Sequence, residues 1–238
     1  MEILNDLLGY KNMKIYQDTD GLSFCLDSVL LSDFVDILKS TRKVLDIGAG
    51  TGAISILLSK KTSAQIDAIE IQKQLADLFI KSVEYNNLNN QVNVINEDVK
   101  EYAKNINNYY DIIVSNPPYY NAGKENTSKL KNVARHEIHL NLDDIISVVK
   151  KMLKNGGCFY MVYDTKRFYE VINKLNNSNL IPKVIRFVHP NSKKESSMFL
   201  IKCIKNGKSG LKIEKPFVLY DENNNINSEY QSLLSTKE

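Results

Sequence analysis

The sequence predicts a doubly wound α/β fold, with a seven-stranded, mostly parallel sheet and helices on both faces. Three observations predict it. From residue 44 onward, short Val- and Ile-rich runs alternate with stretches of helical periodicity at βα spacing, which builds a parallel sheet covered on both sides. The first run ends in a glycine loop, Asp46-Ile47-Gly48-Ala49-Gly50-Thr51-Gly52, set between a strand and a helix. The fourth, 111–115, stops at Asn116-Pro117-Pro118-Tyr119, where two prolines cannot continue a ladder and hold the chain in one attitude.

Each element follows from a local pattern. Apolar side chains at Leu26, Val29, Leu30, Phe34, Ile37 and Leu38 have helical spacing, with Asp27 or Ser28 placed to cap the start. The preceding segment, 16–24, is polar and turn-rich and predicts an N-terminal extension with little regular structure. Strands are expected at 44–47, 66–69 and 92–95, with helices from Ala53 and over 75–85 between them. The loop 120–140 after the fourth strand is long, polar and Lys-rich, and loops of that length are functional or unstructured. Asn141 caps a helix with Leu142, Ile145, Ile146, Val149 and Leu153 on one face, ending at Asn155-Gly156-Gly157 before a strand at 159–162. Thr165 opens a helix through Leu175. Runs 184–188 and 198–204 predict a final strand pair that could add an antiparallel strand. Residues 221–238, Asn-rich and polar, predict a mobile tail. The chain reads as a single domain, 1–238, with an N-terminal extension and helix over 1–40, a core over 41–205 and a C-terminal extension and tail over 206–238.

Composition narrows the class. With 238 residues, 43% of them hydrophobic, a full core can be buried. The net charge is only +3, so a nucleic-acid surface would have to come from local clusters of charge. Cys25, Cys158 and Cys203 lie far apart among apolar neighbours, as reduced core thiols do, and offer neither disulfide nor metal spacing. His136 and His139 do not match a two-His helical zinc motif, so no metal is expected. The first residues lack a basic region followed by an apolar one, and no run reaches membrane-spanning length, which predicts a cytoplasmic protein.

The tetrapeptide has chemical content. The Asn116 amide oxygen and the Pro117 carbonyl can accept both hydrogens of a planar NH2 group, while the Tyr119 ring stacks on its face. Such an amine is a poor nucleophile because its lone pair is delocalised. Hydrogen bonds to both N–H groups favour a pyramidal nitrogen and so stabilise charge developing during attack on an electrophilic methyl. A Pro-Pro turn closing a strand is the bland alternative.

The glycine loop is ambiguous by itself. Gly48, Gly50 and Ala53 also satisfy a dinucleotide pattern, and Glu70, ending the next strand, would hold ribose hydroxyls in either case. Three features favour a nucleoside without a pyrophosphate. Asp46 precedes the first glycine, where a carboxylate repels phosphates but can hold an ammonium group. Asp98 stands at the end of the third strand, placed to accept from an adenine amine, and the Asn-Pro-Pro-Tyr loop ends the fourth. Ligands of open α/β sheets bind outside the carboxyl ends of the strands, so these features converge on one crevice and together suit S-adenosylmethionine.

These motifs resemble the class I S-adenosylmethionine-dependent methyltransferases, Rossmann-like enzymes that modify exocyclic or amide nitrogens. Further segments, 24–31, Ala134-Arg135-His136-Glu137, Phe187-Val188-His189-Pro190 with Lys194-Glu195, and 208–212, are similar to the bacterial tRNA1(Val) (adenine-N6)-methyltransferase family. The resemblance implies transfer of a methyl group to N6 of the adenine immediately 3′ of the anticodon, nucleotide 37. It implies that Asp46, Gly48, Gly50 and Gly52 hold the methionine portion of the cofactor, Glu70 the ribose and Asp98 the adenine. Asn116 and Pro117 would orient the target amine beside the cofactor, and Tyr119 would stack on the base. Lys129, Lys131, Arg135, Lys193 and Lys194 are candidates for RNA phosphates, against the alternative of a solvated charged face. Other readings are a glutamine N-methyltransferase acting on a release factor, a guanine-N2 methyltransferase of ribosomal RNA, and a tRNA-binding module without catalysis. No protein partner is evident.

Overall fold

The structure, a computed structural model, describes residues 2–7, 13–18, 26–117 and 140–235. Its main sheet has the order β10-β8-β9-β7-β6-β3-β4-β5, with β11 also paired to β8. The strands are β3 (Lys43–Ile47), β4 (Gln65–Ile69), β5 (Val92–Ile95), β6 (Tyr110–Ser115), β7 (Leu153–Asp164), β8 (Leu180–Asn191), β9 (Met198–Lys205), β10 (Lys212–Ile213) and β11 (Phe217–Tyr220). The seven expected strands are all present, and β9 runs antiparallel to both β7 and β8. The two short strands β10 and β11 add to the far edge, parallel to β8.

Side-chain parity divides the core. Val44, Ala68, Ile112, Val114, Tyr160 and Val162 face one cluster, with α1 (Leu26–Phe34), α2 (Ala53–Ser59) and α3 (Lys73–Tyr85). Leu45, Ile47, Ile69, Ile113, Phe159 and Met161 face the other, with α4 (Val99–Tyr102), α5 (Leu142–Met152) and α6 (Phe168–Asn177). Burial on both faces explains why the central runs, Ile112 to Val114 and Phe159 to Val162, are apolar throughout and not alternating. Asn141 caps α5 as expected, in a reciprocal capping box with Asp144. Among the described residues no helix is long and apolar enough to cross a membrane.

Four local expectations are corrected. Residues 14–18, expected to be irregular in part, form β2 (Lys14–Asp18), paired antiparallel to β1 (Glu2–Asp6). α3 holds this hairpin: Ser82 Oγ accepts from Tyr16 N at 2.9 Å, and the Asn86 amide accepts from Lys14 N and donates to Lys14 O. Side chains of α3 thereby satisfy backbone groups on an edge of β2 that would otherwise be exposed. Helix α1 stops at Phe34, and Asp27 and Ser28 lie inside it, not at its cap. α5 ends at Met152, and Gly156-Gly157 lie within β7, where Gly156 takes φ 76 beside a register shift against β6. The polar stretch after Asp221 is not wholly irregular, because Ser228–Leu234 forms α7 with Leu233 buried.

Candidate active site

Register brings the functional loops side by side. Ile47 of β3 pairs with Ile69 of β4 and Ser115 of β6, and Ile69 pairs with Ile95 of β5. The residues that follow, Gly48, Glu70, Asn116 and Asn96, therefore start from one rim with strand spacings of about 4.8 Å. Ser115 Oγ donates to Ile47 O at 3.0 Å and ties the ends of β3 and β6 together. Parity then puts Asp46 and Glu70 on the sheet face covered by α1, α2 and α3, where Asn116 also meets α1.

The glycine loop is shaped by backbone requirements. Gly48, Gly50 and Gly52 all have positive φ, at 70, 58 and 92°. Gly52 is the most constrained, since a Cβ there would lie 2.0 Å from the Phe79 ring. Gly48 N and Ala49 N both donate to Ile69 O, and Gly50 N donates to Glu70 Oε2 at 2.9 Å. Glu70 also accepts from Gln72 N on Oε1 and is only 4% exposed. It thus braces the loop, with the remaining lone pairs of its carboxylate available for hydroxyl donors. Asn96 completes the brace by donating to Glu70 O at 2.7 Å.

Asp46 is fully buried. Its Oδ2 accepts from Ser55 Oγ at 2.7 Å, whereas Oδ1 has no hydrogen-bond partner among the described residues. Desolvation pushes its carboxyl up to about 7, opposed by the hydrogen bonds from the Ser55 hydroxyl and backbone and assisted by the negative charge of Glu70. A buried acceptor left unpaired is costly, and a cationic group arriving at Oδ1 would relieve that cost. The site therefore fits an ammonium-bearing ligand and disfavours a pyrophosphate. Asp98 caps α4, accepting from Lys100 N at 2.8 Å, and its side chain is partly exposed.

Asn116 directs Nδ2 to Ser28 Oγ of α1 at 3.2 Å, and Pro117 is buried. Ser28 and Asn96 were not singled out for the site by the sequence reading. The one signal in the sequence that pointed to α1 is the similarity of segment 24–31 to the tRNA (adenine-N6)-methyltransferase family. Tyr119, Lys129, Lys131 and Arg135 lie outside the described residues. Lys193 and Lys194 sit in the β8–β9 turn, which the direction of β8 places at the same rim of the sheet as Asn116. Lys193 pairs with Glu222 at 3.2 Å, which reduces its claim on a phosphate. Thr165 Oγ1 meets Ser196 Oγ at 2.9 Å, which adds the exposed Lys166 to this corner.

A family of known proteins matches this arrangement. The methyltransferase small domain covers residues 27–188, from the helix that carries Ser28 into β8. The chain belongs to that family. As a methyltransferase small domain protein it is an enzyme, and its methyl donor is S-adenosylmethionine. The tRNA1(Val) (adenine(37)-N6)-methyltransferase of Cytophaga hutchinsonii is 31% identical over 174 residues, which are 72% of this chain and 73% of that protein. The relative of the same name from Flavobacterium johnsoniae is 25% identical over 213 residues, 89% and 91% of the two chains. Among solved structures, a protein of Agrobacterium tumefaciens described as a predicted O-methyltransferase aligns with a TM-score of 0.71 at 17% identity, over 87% of this chain and 95% of its own. Geranyl diphosphate C-methyltransferase of Streptomyces coelicolor, solved with S-adenosyl-L-homocysteine, aligns at 0.55 and 12% identity over 75% and 78%. These two likenesses concern the fold.

Proposed function

We propose that the chain transfers a methyl group to the exocyclic N6 of adenine in tRNA, at the adenine immediately 3′ of the anticodon of a valine tRNA. The names of its relatives support the substrate. The observation that carries the site is Asn116 one strand from the glycine loop, with the ends of β3 and β6 tied through Ser115. Bound S-adenosylmethionine supplies an electrophilic methyl. Asp46 would hold its ammonium group, the glycine loop would admit its backbone-like portion closely, Glu70 would accept from ribose hydroxyls, and Asp98 would face the adenine.

The remaining work belongs to the rim. Asn116 Oδ1 and the Pro117 carbonyl accept from the two N–H groups of the target amine, favouring a lone pair directed at the methyl. The tetrapeptide asks only for acceptors, so neither residue needs to titrate. An adenine in an anticodon loop is already free of pairing, so swinging it against Tyr119 costs little, and basic side chains around the rim hold the phosphates. Such an enzyme would act in the cytoplasm, with no metal and no protein partner. Mass spectrometry of nucleosides from total tRNA with and without the protein tests the reading. N6-methyladenosine should track the protein, and an unchanged level would reject the substrate.

A further inference from the structure

We propose that Ser28 is a positioning residue for methyl transfer, restraining the Asn116 side chain where its amide meets the acceptor amine. The inference rests on the role given to Asn116 above. An asparagine amide turns on a broad, roughly two-fold torsion, and its two ends are nearly the same size. A turned amide would aim Nδ2, a donor, at the donors of the target NH2. The reaction therefore needs an amide whose rotation is restrained. Ser28 Oγ accepts from Asn116 Nδ2 at 3.2 Å, and Ser28 is only 9% exposed, so water competes poorly for the bond.

Ser28 can do this because α1 is itself anchored. Lys61 Nζ donates to Ser32 O, Asp33 O and Val35 O at 2.9, 3.0 and 2.6 Å, gathering carbonyls at the end of the helix. Ser32 Oγ donates back to Ser28 O at 2.6 Å. The Phe34 ring meets Tyr160 of β7 edge-on at 6.0 Å, and the Tyr160 hydroxyl donates to Asp36 O at 3.0 Å. β7 lies next to β6, so the strand that buttresses α1 neighbours the strand that presents Asn116. The hydroxyl and the amide are thus fixed to the same part of the sheet from two sides, which is the preorganisation that an acceptor aimed at developing charge requires.

The test compares wild type, Ser28→Ala and Ser28→Thr in single-turnover methylation of valine tRNA at saturating cofactor, with cofactor Kd, KM for tRNA and the thermal midpoint measured in parallel. Ser28→Ala should slow methyl transfer by about 3–10-fold, the scale of one neutral hydrogen bond, while Kd, KM and the midpoint stay near wild type. Ser28→Thr, which keeps the hydroxyl, should recover most of the rate. In protein labelled with 15N-asparagine, exchange of the Asn116 side-chain amide with water should quicken in Ser28→Ala. An unchanged rate with Ser28→Ala overturns the proposal. So does a Thr variant as slow as the Ala variant with a lowered midpoint, since packing would then be the cause. A wild-type protein that forms no N6-methyladenosine would instead defeat the substrate assignment, and the amide-exchange measurement would still decide whether Ser28 holds Asn116.

Discussion

At the scale of single residues, the proposed chemistry rests on two side chains in different ways. Under that proposal Asn116 acts on the acceptor and not on the fold. Asn116→Ala should lower methyl transfer by roughly 10²–10³ and leave cofactor affinity within a few-fold, which single-turnover rates and calorimetry would separate. Full activity in that variant would take the tetrapeptide out of the mechanism. Asp46 is a linkage residue. Its carboxyl, pushed up to about 7 by burial, holds a proton at pH 6 in the free enzyme. An ammonium group at Oδ1 should expel it, so calorimetry at pH 6 in buffers of different ionisation enthalpy should show close to one proton released per cofactor. Asp46→Asn should abolish the release. The sign for stability follows from the raised value. Without cofactor, the contribution of Asp46 is fully present below the pKa of the unfolded chain near 4 and is lost as pH rises through 7. Stability of the free wild-type enzyme relative to Asp46→Asn should accordingly decline over that interval, as read by denaturant melts.

At the scale of elements, the glycine loop and α1 are where small changes should be felt most. Gly52→Ala must adopt a left-handed φ and displace the Phe79 ring, so it should cost roughly 3 kcal/mol and lower Tm by about 6–12 °C. Lys61→Met would release the carbonyls at the end of α1, and should reduce methyl transfer through Ser28 with cofactor affinity little altered. What was readable in the sequence follows the same physics. The central strands of the sheet were legible because burial on both faces demands unbroken apolar runs, as in Ile112-Ile113-Val114, whereas the short edge strands β10 and β11, buried only at Phe217, were not. The glycine loop was legible because only glycine tolerates its backbone. The β1–β2 hairpin was not, because its five-residue strands carry charged and amide side chains and depend on Ser82 and Asn86 of a helix some seventy residues away. The same holds for α7, whose Asn-rich approach is held by Asp221 accepting from Asn223 and Asn225. In the site, acids and glycines announced themselves by spacing. Ser28 and Asn96 did not, since a serine in a helix and an asparagine after a strand are unremarkable until the register is known.

At the scale of the whole molecule, the sheet places the glycine loop, Asn116 with Pro117, and the β8–β9 turn at one rim. With a net charge of only +3, the proposed RNA binding has to come from local clusters of basic side chains. Changing Lys129, Lys131 and Arg135 together to Ala should weaken tRNA binding and flatten its salt dependence with cofactor affinity unchanged, as filter binding across salt concentrations would show. Lys194→Ala should act in the same sense, and more strongly than Lys193→Ala, because Lys193 is engaged by Glu222. An unchanged salt slope in all these variants would move the RNA surface elsewhere. The central claim is methylation of a single adenine amine, and it is tested most directly by incubating purified protein with S-adenosylmethionine and a valine tRNA, then mapping the modified nucleoside by mass spectrometry. The account predicts N6-methyladenosine at the position immediately 3′ of the anticodon, lost when that adenine is replaced by guanine. Methyl incorporation at guanine N2, at a glutamine of a release factor in place of tRNA, or nowhere would contradict it.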